Sequence, residues 1–541
     1  MSEKTSRGSR RKLTIFLVVA VVLIGSVLVA LFESARYWTD KASPLIREKA
    51  EAYLEDRFDS DVDIGSLNVQ LPIISPLHFL TTKGRGSIAQ VEGRKIVLYY
   101  KGDRNRPPLF SVERVSFGVD LGTVFGESKE VPLVQLDGLT IQLPPKEERL
   151  QAQGKRHGMS GVVVNEVRVH NAKLLILPKN KEKKPLDFNI EDLHLWSVGA
   201  SGPMRYEAVL TNPKPPGRIQ TKGNFGPWQT ESPSDSPISG EYVFSHADLG
   251  IFSGIAGILN STGNFEGALN SITARGEARV PDFRLKGAGN PVPLSTKFEV
   301  LVDGTNGNTI LQPVVAQLGS TTFTTSGAVI RKEGDLQRTI DLEVSMPNGD
   351  VRDVTRLAMK GPAFLAGRIV LKSRIRIPAS SEKVREKLLL AGQFQIRQGK
   401  FLRASLQDQI DSFSRRGQGQ PGNQEIDDVL FRMKGRFRMR DQILSLNDLG
   451  FDVPGAQVRL DGSYNLVSDS LDFHGVMKLQ AKVSQTMTGW KRWALKPVDP
   501  FFEKQGAGTY LHIKAEGTAS DPKFGLDRGG KSSEERESTN K

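Results

Sequence analysis

Phe431-Arg432-Met433-Lys434-Gly435-Arg436-Phe437-Arg438-Met439 is the stretch on which the fold turns. Its odd-numbered positions are large and apolar, glycine once excepted, and every even-numbered position is Arg or Lys. Successive side chains of an extended strand point to opposite faces, whereas a helix would spread these cations around its axis. The stretch is therefore a strand with one apolar and one wet face. The same period of two recurs in both directions. Leu139, Ile141 and Leu143 alternate with Thr140 and Gln142; Ile340, Leu342, Val344 and Met346 with Asp341, Glu343 and Ser345; Leu511, Ile513 and Ala515 with His512, Lys514 and Glu516. From Val62 to about Leu526 this is the dominant signal, so the chain is mainly β.

A glycine opens many of the candidate strands, as in Gly240-x-Tyr242-x-Phe244, Gly392-x-Phe394-x-Ile396 and Gly462-x-Tyr464-x-Leu466. The spacing is irregular, which fits an antiparallel meander with variable turns rather than a strict-period solenoid. About 465 residues at roughly 15–20 per strand and turn make about 25–30 strands, on the order of 120–150 Å of sheet. After residue 60 the best amphipathic helices are Glu382 to Leu390 and Ala404 to Phe413. Polar breaks punctuate the chain at Pro144–Ser160, Pro178–Pro185, Gln229–Ser239 and Arg415–Gln424.

The N-terminus has a different character. Leu13 to Phe32 is a run of 20 uncharged residues, and at about 1.5 Å per residue such a helix covers about 30 Å, one hydrocarbon core. Lys4, Arg7, Arg10, Arg11 and Lys12 precede it, which puts the short N-terminus in the cytoplasm and the bulk of the chain across the membrane. The rival is a cleaved signal peptide, but the run is long for one, and the candidate cleavage residues Ala30 and Ala35 have Leu28 and Glu33 at position −3, where a small residue is required. Pro44 to Phe58 follows as one amphipathic helix.

Composition and motifs bear on chemistry. The chain has no cysteine, which excludes disulfides, thiolate metal sites and cysteine nucleophiles. Its seven histidines are scattered, with no HExxH pair, and neither a Walker A loop nor a G-x-S-x-G elbow occurs. A G-x-G-x-x-G match at Gly417, Gly419 and Gly422 contains Pro421 and lacks a leading buried strand, so it reads as a loop. No catalytic residue, cofactor or metal ligand is assigned. The formal charge of +13 is moderate and interspersed. The cationic face Arg432 to Arg438 reads as a solvated strand face, and second as an attraction to anionic lipid head groups or lipopolysaccharide phosphates; beyond a membrane anchor, nucleic acid is not expected.

The chain resembles the AsmA-like family of bacterial envelope proteins. The resemblance lies in the basic start, single span and short helix leading to Asp63-Ile64-Gly65-Ser66-Leu67; in Val115-x-Phe117-x-Val119-x-Leu121 followed by Val134-x-Leu136-x-Gly138-Leu139-x-Ile141; and in a C-terminal region from Gly392-x-Phe394-x-Ile396 to Gly517-Thr518-Ala519-Ser520-Asp521-Pro522-Lys523-Phe524. It implies an inner-membrane protein, single-pass, with its bulk in the periplasm, belonging to the repeating-β-groove lipid-transfer superfamily. The expected fold is a single N-terminal transmembrane helix followed by an elongated, curled antiparallel β-sheet, a groove- or taco-like trough, with a few short helices. The corresponding division is a basic cytoplasmic segment (1–12), the transmembrane anchor (13–33), an amphipathic linker helix (34–60), an elongated β-sheet region (61–380), an AsmA-like C-terminal β region (381–527) and a disordered tail (528–541). The expected function is non-enzymatic: binding or conducting phospholipid along the apolar face, in support of outer-membrane lipid homeostasis. The lipid-groove candidates are Leu139, Ile141, Leu143, Ile340, Leu342, Val344, Phe431, Met433, Phe437, Met439, Leu511 and Ile513. The partners are phospholipid and the inner membrane, with the outer membrane or envelope proteins beyond. The alternative is a structural envelope factor that assists outer-membrane protein assembly, the apolar face being simply core.

Trp490 to Phe502 reads WKRWALKPVDPFF. Trp490, Trp493, Phe501 and Phe502 among Lys491, Arg492 and Lys496 suit either a plug at one end of the sheet or a contact with a bilayer interface or a protein partner. The anchor reading is checked directly: mature protein should retain the residues before Leu13, and a reporter fused after Lys41 should be active only outside the cytoplasm. A mature N-terminus near Arg36 would refute it.

Overall fold

The computed structural model describes residues 60–70, 86–100, 107–120, 129–143, 162–177, 185–198, 202–488 (apart from 228, 230–231, 333–334, 336 and 426), 508–518 and 522–527, with isolated positions between 47 and 55 and at 82, 104 and 496. Strands make up most of these residues and the helices are few and short. The chain forms two compact units, one from residues up to Ile251 with Leu259–Gly276 and Leu301–Gly307, the other from Phe252–Ile258, Glu277–Val300 and Asn308 onward.

The first unit contains β1 (Ser60–Gln70), β2 (Ile88–Tyr100), β3 (Phe110–Asp120), β4 (Lys129–Asp137), β5 (Thr140–Leu143), β6 (Val162–Ile176), β7 (Leu186–Val198), β8 (Met204–Pro213), β9 (Pro216–Phe225) and β10 (Pro237–Asp248). Most neighbours pair antiparallel, as expected. One joint departs from that expectation: β4 and β5 both run parallel to β6. A parallel joint needs a crossover of a dozen or more residues, and the polar break between β5 and β6 supplies that length. Gly138, at φ +66°, makes a local bend between β4 and β5, which otherwise continue in one register along both β3 and β6.

The apolar positions of this unit are almost dry. Ile64, Val134, Leu139, Val164 and Val169 are each 0% exposed and share one cluster with Ala50, from the segment preceding β1. That segment also serves the edge of β1. Glu51 accepts a hydrogen bond from the Ile64 backbone N–H at 3.0 Å and Glu55 from Val62 N–H at 3.4 Å. Carboxylates thus occupy donors that an open edge strand would offer to another chain.

Where the chain passes between the units lie β11 (Ile255–Ala256), β12 (Ile258–Ala268), β13 (Ser271–Val280), β14 (Arg284–Leu285) and β15 (Leu294–Val302). The second unit continues with β16 (Thr309–Leu318), β17 (Thr321–Ile330), β18 (Thr339–Asp350), α1 (Val351–Ala358), β19 (Leu365–Ile377), α2 (Val384–Lys387), β20 (Leu389–Phe401), α3 (Ala404–Gly417), β21 (Phe431–Arg440), β22 (Ile443–Val453), β23 (Ala456–Asn465), β24 (Ser470–Leu479), β25 (Thr509–Thr518) and β26 (Pro522–Leu526). From β16 on, each strand pairs antiparallel with the next. The glycines that open strands have a packing reason here. Gly392 pairs with Phe437, and a Cβ on it would lie 2.3 Å from Lys372 O and 2.8 Å from the Phe437 ring. The ring occupies the space a side chain would need.

The helix expected over Glu382–Leu390 is confined to the single turn α2, and Leu389 begins a strand. The period-two run Leu390, Gly392, Phe394, Ile396 pairs with β19 on one side and β21 on the other, and that pairing overrides local helix propensity. The helix expected from Ala404 extends to Gly417. Gly417 thus closes a helix instead of opening one, the end at which carbonyl dipoles repel phosphate.

Both longer helices are tied to strand ends by buried carboxylates. On α3, Asp411 accepts from Val429 N–H at 2.9 Å and Asp428 N–H at 3.1 Å; Gln407 accepts from Phe401 N–H at 3.0 Å and donates to Asp411 and Val429 O. On α1, Asp353 accepts from the Ser320 N–H at 2.9 Å and from the Thr321 hydroxyl at 2.8 Å. So fixed, α1 contributes Val351 and Val354, and α3 Ile410 and Phe413, to a second cluster centred on Phe431, which is 0% exposed. The Phe401 and Phe451 rings flank Phe431 with centroids 5.0 and 4.9 Å away. Phe431→Ala is expected to cost about 3–5 kcal/mol in denaturant unfolding; a loss below about 1 kcal/mol would show that this cluster is not packed in solution.

Candidate functional site

The site-forming feature of the second unit is the alignment of apolar positions across strands. Leu342 pairs with Ile375, Ile375 with Leu390, Leu390 with Met439, Met439 with Leu444, Leu444 with Tyr464 and Tyr464 with Leu471. Antiparallel partners carry their side chains on the same face, so these seven residues form one row across seven strands, about 30 Å along the sheet. Met439 is buried and the other six are half-buried. Three rows further along the strands lie Ile369, Ile396, Met433, Phe451, Val458 and Met477, with Leu511 beside Met477. Most of that row belongs to the cluster under α1 and α3, whereas Leu342, Ile375, Leu390, Met439, Leu444 and Leu471 do not. The helices therefore seal one end of the apolar face and leave the other end of the strands uncovered by them.

The candidate residues divide accordingly. Leu139 and Ile141 sit in the closed core of the first unit, while the Leu143 side chain falls outside the described residues. Phe431 and Met433 lie in or against the helix-covered cluster. Ile340, Leu342, Val344, Phe437, Leu511 and Ile513 lie half-buried on the face itself, and Met439 lies buried there. Ile375, Leu390, Leu444, Tyr464 and Leu471 complete the row and were not among the candidates. The signal was present: Ile375 and Ile377 alternate with Arg374 and Arg376 as regularly as the residues of β21 do. Trp490, Trp493, Phe501 and Phe502 lie outside the described residues, as does Leu13–Phe32. Among the described residues no helix is long and apolar enough to cross a membrane.

The opposite face carries ion pairs between neighbouring strands. Arg374 grips Asp341 through two bonds of 2.8 and 2.9 Å, and Arg436 meets Asp448. The Arg374 hydrogen bonds hold the Asp341 carboxyl below its usual range. One group among the described residues, Asp472, His474 and Glu516, brings potential metal-ligand atoms within 4.8 Å of one another. Its geometry is that of a clamp: His474 Nδ1 lies 3.0 Å from Asp527 and Nε2 2.9 Å from Asp472, while Lys514 holds Glu516 at 2.7 Å. Both ring nitrogens face carboxylates, an arrangement that favours the protonated ring more than water does. No protein-family profile, curated protein or solved structure matches this chain.

The clamp has a pH signature. The Asp527 hydrogen bond, with a smaller contribution from Asp472, raises the His474 pKa above its ordinary value of 6.5. A raised folded-state pKa gives stabilisation that is fully present below the unfolded value and is lost as pH rises through the folded one. Asp527→Asn should lower the midpoint of the His474 ring-proton titration followed by NMR. An unchanged midpoint would mean that Asp527 does not hold His474.

Proposed function

We propose that this chain is a non-enzymatic, membrane-anchored protein of the AsmA-like kind, whose apolar sheet face holds or conducts the acyl chains of phospholipid on the periplasmic side of the inner membrane. The observation that carries the reading is the half-buried row from Leu342 to Leu471, continuous in register and outside the packed cluster. A face of that length needs cover, because large exposed apolar patches are rare without a partner. An acyl chain provides apolar cover that is mobile along the row and demands no polar contact from it. The uncharged run Leu13–Phe32 supports the membrane placement. The lack of any nucleophile–base motif supports a role without bond chemistry.

The test compares two aspartates. Leu390→Asp introduces a charge into the proposed lipid path at a half-buried position; it should cost about 1–2 kcal/mol of stability while abolishing phospholipid recovery with the purified chain. Met433→Asp strikes the helix-covered cluster and should cost more than about 3 kcal/mol. A photo-reactive residue at Leu444 should form phospholipid adducts in cells, and one at Arg438 should not. Absence of adducts at Leu444, with Leu390→Asp unfolding the unit as severely as Met433→Asp, would refute the lipid reading and favour a packed structural factor.

A further inference from the structure

The wet face of the same strands holds a feature that the acyl-chain reading does not use. A cavity of about 590 Å³ lies over the middle of β17–β21. Its polar lining comes from Lys372, Arg374, Arg436, Gln393, Ser345 and Thr324. These positions alternate with the apolar row, so the cavity is on the opposite side of the sheet from it. Register explains why a depression forms there. Lys372 and Arg436 both pair with Gln393, and Arg374 and Arg438 both pair with Ala391. Long cationic side chains thus stand on either side of the short Ala391.

The charges are not all spent within the protein. Arg374 is paired with Asp341 and Arg436 with Asp448. Among the described residues Lys372 and Arg438 have no hydrogen-bond or ion-pair partner. The carboxylate on the lining, Glu343, pairs in register with Arg374. Arg374 and Arg436 share their charge with Asp341 and Asp448, and Glu343 stands on the lining, so the unspent donors are those of Lys372 on the lining and of Arg438 opposite Ala391. With the hydroxyls and the amide beside Lys372 they form a setting for a single anionic group that also bears hydroxyls. Arginine guanidinium edges and a lysine ammonium are the donors that phosphate oxygens take most strongly, and Ser, Thr and Gln side chains suit the hydroxyls of a polyol.

We propose that this cavity binds the phosphate group of a polyol phosphate ester, with Lys372 as the principal cation and Arg374 and Arg436 at its sides. The ester has two sources, a soluble molecule or an anionic head group in a membrane. The proposal is independent of the lipid reading of the opposite face.

The experiment uses the full chain in nanodiscs of zwitterionic phosphatidylcholine. Binding of glycerol 3-phosphate is followed by calorimetry, and association with vesicles containing phosphatidylglycerol by flotation. Lys372→Gln is compared with Lys434→Gln, which removes the same charge from the same face but outside the cavity. Saturable binding of glycerol 3-phosphate, weakened about tenfold or more by Lys372→Gln and little changed by Lys434→Gln, supports the site with a soluble ester as source. Vesicle association with the same variant pattern, and no binding of the free ester, supports it with a head group as source. Equal weakening by both variants would reduce the feature to diffuse attraction, and no binding of either probe would exclude the ligand class; both overturn the proposal. Lys372 is exposed, so melting curves of the two variants should match the parent and keep folding out of the comparison.

Discussion

A sheet with one apolar face must keep that face from water, and the rest of this structure follows from how it does so. At about 25 cal/mol per Å² the apolar side chains of even a few strands represent many kcal/mol, more than any single ion pair on the wet face contributes. In the first unit the solution is closure. Ile64, Leu139, Val164 and Val169 lose all contact with water, and Ala50 is drawn into the same core. In the second unit the solution is partial. Two helices cover one end of the strands, and the row from Leu342 to Leu471 stays half-buried.

The helices have to be held down, since an eight-residue helix such as α1 has little stability of its own. Asp353 and Asp411 do this by accepting hydrogen bonds from strand ends that would otherwise be left without partners. Buried carboxylates of this kind are costly unless fully bonded. Asp411 meets that condition with two backbone donors and the Gln407 amide. The same design at two places, one helix after β18 and one after β20, gives the apolar cluster a fixed boundary.

Much of this was legible in the sequence because the alternation has a period of two, which only a strand satisfies. Phe431 to Met439 places Arg432, Lys434, Arg436 and Arg438 outward as the pattern requires. The strand number falls where chain length puts it, with 26 among the described residues. What the pattern does not carry is partner identity. The parallel joint of β4 and β5 with β6 depends on where a polar crossover returns the chain, and composition is silent on that. The Glu382–Leu390 segment has helical spacing, but its leucines gain more from β19 and β21 than from one extra turn. Alternation likewise could not separate Leu139, which is sealed, from Leu342, which is not, because both have the same local pattern and differ only in what lies above them.

The two faces of the second unit obey different rules, and this decides where specificity resides. On the apolar face, cross-strand neighbours are interchangeable hydrocarbons, and glycines such as Gly392 tune only how closely a ring like Phe437 approaches. No contact there would distinguish one hydrocarbon occupant from another. On the wet face the charges hold fixed positions: Asp341 is committed to Arg374 and Asp448 to Arg436, while Lys372 is left over between them. Charges fixed by register cannot regroup without slipping a strand, and a slip of one residue would turn every apolar side chain of that strand outward. The hydrophobic constraint therefore locks the arrangement of cations on the far side, and any chemical selectivity of this unit follows from that locked arrangement rather than from the apolar row.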